Sequence, residues 1–345
     1  MGALELRLLN DFQRGFPLTS RPFAAIAARL GVNESVVLAE LERLVAGGKV
    51  SRVGAAFVPG RIGAATLAAM SVPREQLRRV AELVSAYPEV NHNYEREHHY
   101  NLWFVITGPD ERHVETVVRG IERSARCGRV LSLPMIEPYH IDLGFDLAGA
   151  GSEAAPEREG DASRRTEGRN SNLHSSSFIL DPSEYALVSA LQEGLPLTSA
   201  PYAELALRAG MTEAAVIATL GRWLASRVVS RLGIIVRHHE LGYTANAMVV
   251  WDVPDPEVRA AGRRAAAAPC VTLCYQRLRA LPEWRYNLYC MIHGTERARV
   301  LGEIAALRAN CDLVHYPFEV LFSRQRFKQR GARYLQPEAQ AADHG

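Results

Sequence analysis

The densest polar cluster of the chain is His92-Asn93-Tyr94-Glu95-Arg96-Glu97-His98-His99-Tyr100-Asn101, and a second one, Tyr275-Gln276-Arg277, runs on through Trp284-Arg285-Tyr286-Asn287. Histidine moves protons near neutral pH, and arginine grips carboxylates through a planar fork of donors. Placing Tyr100-Asn101-Leu102 on Tyr286-Asn287-Leu288 sets His98 opposite Trp284 and His99 opposite Arg285, and it pairs Arg96 with Arg277. One cluster is therefore rich in histidine and the other in arginine. A separate pair, His238-His239, precedes the first strand expected in the second module. If the strand around Tyr94 extends that far, period-two alternation puts His98 and Tyr100 on one face and His99 and Asn101 on the other. Only one of the two histidines then faces a given cavity, and the sequence leaves open which.

The elements that must position these side chains occur twice. Gly15-Phe16-Pro17-Leu18-Thr19-Ser20 returns as Gly194-Leu195-Pro196-Leu197-Thr198-Ser199, and Val50-Ser51-Arg52-Val53-Gly54 returns as Val229-Ser230-Arg231-Leu232-Gly233. In each copy, helical spacing, a Gly turn and a second helix predict a helix-turn-helix, with a β wing over residues 50–58 of the first copy. Strand and helix patterns then follow in the order βαββαβ, a ferredoxin-like unit. In the first copy they span residues 64–72, 74–87, 90–98, 100–107, 110–125 and 130–136. In the second they span 243–253, 257–268, 271–279, 285–292, 296–309 and 313–322.

The expected fold class is α+β, two tandem repeats forming a pseudo-dimer. The domains would be residues 1–60 (winged helix-turn-helix), 61–147 (ferredoxin-like), 148–177 (flexible linker of Gly, Ser, Glu and Arg), 178–238, 239–331, and a tail, 332–345. Leu102-Trp103-Phe104-Val105-Ile106 is apolar on both faces and needs cover on both. Helices can cover one face. The sheet of the other repeat would cover the second, enclosing a slot for a flat ligand.

With 345 residues, 48% hydrophobic, and a net charge of +2, the chain can bury more than one core but has no strong electrostatic bias toward nucleic acid. The mean hydropathy of −0.10 and the absence of a long apolar run argue against a membrane span. The amphipathic start, without the basic and apolar regions of a signal peptide, predicts a cytoplasmic location. Five cysteines without a CxxC pair argue against a structural disulfide or zinc site.

A winged helix-turn-helix followed by βαββαβ resembles the Lrp/AsnC transcription regulators, which implies DNA binding and a small effector. The second helices do not suit that role. One begins Asn33-Glu34-Ser35-Val36-Val37 and the other Thr212-Glu213-Ala214-Ala215, so few side chains can reach base edges. DNA is not an expected partner.

The run Tyr94-Glu95-Arg96-Glu97-His98-His99-Tyr100-Asn101-Leu102-Trp103-Phe104 resembles the siroheme decarboxylases of the Nir and Ahb type, Lrp/AsnC-like proteins of heme d1 and alternative heme biosynthesis. Pro138-Tyr139-His140-Ile141-Asp142 is similar to the end of one subunit of that family, and Leu321-Phe322-Ser323-Arg324-Gln325-Arg326-Phe327-Lys328 to the end of the other. The resemblance covers both halves and implies a fused enzyme. Its reaction would convert siroheme to 12,18-didecarboxysiroheme by loss of two acetate carboxyl groups as CO2, with no added cofactor because the iron belongs to the substrate.

On that resemblance Arg96, Arg277 and Arg285 would clamp carboxylates, and Tyr94, Tyr100, Tyr275, Trp284 and Tyr286 would line the substrate. His98 or His99 would donate a proton in one site and His238 or His239 in the other. Either His98 or His99 is also an alternative axial ligand to the substrate iron, so the protein itself supplies no metal site. Arg324, Arg326, Lys328 and Arg330 read most simply as a solvated basic tail, with closure over an anionic ligand as the alternative. Exposed sheet edges of the module would favour a homo-oligomer of the fused chain. A transcription regulator and a non-catalytic tetrapyrrole carrier are the rival readings.

Overall fold

The computed structural model describes residues 2–58, 60–141 and 180–335, so the predicted linker at 148–177 and the tail from 336 onward lie outside the described residues. The chain opens with α1 (Ala3–Asp11). Helix α2 (Pro22–Leu30) starts on a proline, where the missing N–H has no helical partner to lose, and stops at Gly31, whose φ of 70° suits glycine. It is followed by α3 (Glu34–Ala46) and the wing strand β1 (Val50–Phe57). Asn33 stands at the cap position of α3 without making a capping bond. The described part of the second copy begins with α6 (Pro182–Gln192), α7 (Pro201–Ala209), α8 (Glu213–Ala225) and the wing β6 (Val229–Val236).

The two helix-turn-helix units share one core, in which Leu8, Phe23 and Leu41 pack in the same cluster as Leu187, Tyr202 and Trp223. Tyr334 and Leu335, expected in a tail, are buried in that core. Their N–H groups donate to the Gln192 side-chain oxygen. The two wings pair antiparallel with each other, Gly54 opposite Gly233. These glycines are repeat mates, so the pseudo-twofold axis passes between them.

A β-carbon on Gly233 would stand 2.3 Å from the Gln13 carbonyl and 2.6 Å from that of Phe12. Backbone atoms cannot swing aside. Gly233→Ala is expected to cost roughly 1–3 kcal/mol of stability, read as a lower unfolding midpoint, whereas an unchanged midpoint would mean that the wing seam is loose.

The remaining elements are β2 (Ala64–Met70), α4 (Leu77–Ala86), β3 (Val90–Arg96), β4 (Leu102–Gly108), α5 (Glu111–Ala125) and β5 (Leu131–Ile141), then β7 (Ala245–Trp251), α9 (Val258–Ala266), β8 (Val271–Arg277), β9 (Leu288–Gly294), α10 (Arg297–Asn310) and β10 (Phe318–Gln329). They do not form two stacked sheets. Eight strands close into one barrel in the order β10-β3-β4-β2-β5-β8-β9-β7. The cause is that β5 and β10 run well past their predicted ends at 136 and 322. The first part of each strand pairs within its own module, and the rest pairs with β8 or β3 of the other.

Closure corrects three expectations. The module has no free sheet edge among its described strands, so self-association loses that support. The basic segment from Arg324 to Lys328 is the barrel-closing strand and not a solvated tail. The slot between two sheets is a barrel interior filled by Leu67, Trp103, Leu133, Trp284, Tyr289 and Leu321. Trp103 faces that interior while Leu102, Phe104 and Ile106 pack under α4 and α5, which explains a strand apolar on both faces.

The two seams match residue for residue. Met135 faces Arg277 and Pro138 faces Tyr275 in one, and Ser323 faces Arg96 and Arg326 faces Tyr94 in the other, with register irregularities at equivalent points. The pseudo-twofold axis therefore runs along the barrel. Among the described residues no single helix is long and apolar enough to cross a membrane.

Candidate functional site

The hairpin ends 97–101 and 278–287 meet at the barrel end away from the wings. Strand β3 stops at Arg96, so His98 to Asn101 form a bend and not the alternating strand expected from the sequence. The imidazole of His98 accepts at Nδ1 from the Tyr100 N–H at 3.0 Å and stands edge-on to Trp284, 5.4 Å between ring centres. Trp284 also packs on Tyr100, Trp103 and Tyr286, and its indole N–H donates to the Tyr289 hydroxyl at 2.6 Å. Burial in this aromatic cap lowers the His98 pKa, opposed by the charge of Glu319. His99 is exposed on the outside. Arg285 is held outside as well, donating to Asp252 at 2.6 Å beside Arg279, so it does not join Arg96 and Arg277.

Inside the barrel Arg96 and Arg277 form a symmetric pair. Arg96 Nη1 donates to the Leu321 carbonyl at 2.9 Å, and Arg277 Nη1 donates to the Leu133 carbonyl at 2.7 Å. The Arg277 guanidinium lies 4.6 Å from the Tyr275 ring centre, and that of Arg96 lies 6.0 Å from Tyr94. Near the wings a second pair of repeat mates, Arg52 and Arg231, reaches only the carbonyls of Ala55 and Gln13. All four Nε atoms are buried without a partner. Burial pushes Arg52, Arg96 and Arg231 down to about 10; the charges of Arg14 and then Arg52 add to this at Arg231, and the Glu193 carboxylate opposes it at Arg52. Cations buried with incomplete hydrogen bonding cost several kcal/mol each, roughly, which an anionic ligand would recover.

A recess opens on the seam of β3 and β10, lined by Tyr94, His239, Asn246, Ser323, Arg326 and Gln329. His239 and Tyr94 are thus brought together, far along the chain from one another. His238 opens the short 3-10 turn His238–Leu241 that carries His239. Arg326 is steered by Glu240 and Gln329. Among the described residues no cluster of three or more His, Cys, Asp or Glu side chains could hold a metal.

His92, absent from the residues expected to act, lies in register with Gln329 and stacks on Tyr94, ring centres 6.1 Å apart. Burial, then the nearby charge of Arg52, lowers its pKa to about 4. Two signals could have pointed here: His92, Tyr94 and Arg96 recur at period two, and Arg52 is an identity shared with Arg231.

The depressed pKa has a measurable sign. Unfolded His92 titrates near 6.5, so between about pH 6.5 and 4 the unfolded chain binds more protons and stability falls with acidification. This group should remove about 2 kcal/mol by pH 5, a loss that His92→Gln would abolish in a pH series of denaturation curves. An identical pH slope in the variant would place His92 in water.

Comparison with known proteins follows the same division of the chain. An AsnC-like ligand binding domain model matches residues 61–140 and 240–328, and a model described as the siroheme decarboxylase NirDL-like HTH domain matches residues 5–50 and 184–229. The chain is 44% identical over 334 residues to the siroheme decarboxylase NirDL subunit of Paracoccus pantotrophus, covering 96% of this chain and 97% of that one. Separate NirD and NirL subunits of the Stutzerimonas stutzeri enzyme are 50% and 45% identical over 42% and 43% of this chain, with 95% and 86% of their own lengths covered. A crystal structure of a siroheme decarboxylase NirDL in complex with an iron-uroporphyrin III analogue superposes with a TM-score of 0.65 at 27% identity, covering 96% of this chain and 93% of that one.

Proposed function

Because the chain belongs to the siroheme decarboxylase family, fused from NirD-like and NirL-like halves, we propose that the space between the paired wings and the barrel is where siroheme loses its carboxyl groups. The protein is a carboxy-lyase acting on siroheme. What supports this location is the pair Arg52 and Arg231, repeat mates whose Nε atoms are buried without a hydrogen-bond partner. Siroheme carries eight carboxylates on a broad apolar ring, so it supplies the missing acceptors and the apolar surface together.

In each step the bond between an acetate methylene and its carboxyl breaks, CO2 leaves, and the electron pair enters the conjugated ring. The exocyclic carbon then takes a proton and becomes a methyl group. One proton is consumed per CO2 and no net electron is transferred, so no oxidant or reductant is called for and the only iron is the substrate's own. We assign the proton to His92, which stacks on Tyr94 of the recess, with His239, another lining residue of that recess, as its relay to water. Neutral in the free protein, His92 gains basicity when the carboxylates of siroheme surround it, and it then holds the proton to be given.

Arg96, Arg277, Tyr94 and Tyr275 form the inner wall of this site, and the cap of His98, Tyr100, Trp284 and Tyr286 closes the far end of the barrel. The same proposal includes loss of both acetates, at C12 and C18, and a cytoplasmic setting. Anaerobic incubation with siroheme followed by mass spectrometry tests the reading: loss of two CO2 per molecule is expected, whereas bound siroheme recovered intact would mean a carrier.

A further inference from the structure

We propose that both carboxyl losses take place on one flank of the axis, the flank built by β3, β10 and the turn before β7, and that the equivalent flank built by β8, β5 and the turn before β2 has lost the chemistry. The inference rests on the decarboxylase reading and divides its labour between the two halves.

The matched seams allow a direct comparison. On the axis both copies keep the same residues: Arg52 and Arg231, Tyr94 and Tyr275, Arg96 and Arg277. Away from the axis they part. His92 is in register with Gln329 on β10, and at the matching place Leu273 is in register with Ile141 on β5. Arg326, facing Tyr94, is matched by Pro138, facing Tyr275. Asn246, in the recess, is matched by Ala65, counting both from their pairings with β9 and β4. The pair His238-His239 aligns with Pro59-Gly60, five residues after Gly233 and Gly54 respectively.

One flank therefore offers imidazole, guanidinium and amide groups, and the other leucine, isoleucine, proline and alanine. An apolar flank can take the face or edge of a macrocycle but has no group to protonate carbon.

The substrate's own pattern makes one flank sufficient. The acetates at C12 and C18 sit in mirror-related order about the meso carbon between their rings, so a half-turn of the macrocycle exchanges them. Siroheme presents one acetate to His92, and the mono-decarboxylated product returns turned over to present the other. Both Arg52 and Arg231 can hold either orientation because the axis itself is symmetric.

Titration of the anaerobic full chain with siroheme should saturate at one molecule per chain. The variant His92→Gln should lose both decarboxylations together, each by at least a hundredfold. Two bound molecules per chain would overturn the proposal. So would a mono-decarboxylated end product from His92→Gln, or unimpaired turnover in it. A parent chain that releases no CO2 at all would instead remove the decarboxylase reading beneath it. The titration needs no substitution, so a variant that failed to fold would still leave the proposal exposed.

Discussion

Replacing His92 by glutamine is expected to slow CO2 release from bound siroheme by about 10²–10⁴-fold, the range over which a positioned general acid acts, with affinity changed by no more than a few-fold. Glutamine keeps a polar side chain of similar reach but cannot carry a proton to carbon. The distinction lies in the kinetics. His92 sits on β3 stacked on Tyr94, and burial, then the nearby Arg52 charge, holds it neutral in the free protein. The carboxylates that enter with the substrate reverse that balance and raise its pKa. Single-turnover rates should therefore follow a titration absent from the free protein, and this limb should vanish in the variant. The comparison with His98→Ala and His99→Ala is informative, because those two side chains lie in and outside the aromatic cap at the other end of the barrel. A larger rate loss from either of them than from His92→Gln would move the proton donor to the cap.

Replacing Arg52 by methionine should act in opposite directions on the free and loaded protein. The Arg52 guanidinium is buried between the wing and Gly331, donates to the Ala55 carbonyl and leaves its Nε unpaired. Exchanging a buried cation with incomplete hydrogen bonding for an apolar side chain of similar length is often neutral or stabilising by roughly 1–4 kcal/mol. The same exchange removes a charge-assisted hydrogen bond to a substrate carboxylate, worth about 1.5–3 kcal/mol, or about 10–150-fold in siroheme affinity. Thermal melts of the free protein and equilibrium titration with siroheme read the two effects separately. A variant that is both less stable and equally tight would show that Arg52 serves the wing and not the ligand.

Much of the fold was legible because it follows from local periods. The αL turn at Gly31, the proline at the start of α2, and the strand and helix patterns of each βαββαβ unit lie within a few residues of their expected places. The repeat Gly54/Gly233 also announced a pseudo-dimer before any contact was known. What failed were the strand ends. Nothing local marks where β5 and β10 stop, because their second halves are stabilised by β8 and β3, which are far away in the chain. The free sheet edges and the solvated basic tail were consequences of that one gap.

The site divides in the same way. The sequence by itself determined the kind of chemistry: a duplicated scaffold with histidine and arginine at its divergent positions, and motifs shared with a siroheme-decarboxylating family. It also picked out Arg96 with Arg277 as mates. Only the tertiary structure decided which side chains share a space. It took His98 into an aromatic cap with Trp284, tied Arg285 to Asp252, and brought His92, Tyr94 and Arg326 to one seam. The physical reason is that barrel closure is a long-range event: the partner strand chooses which face of β3 looks inward and what stands opposite it, and no period within β3 carries that information.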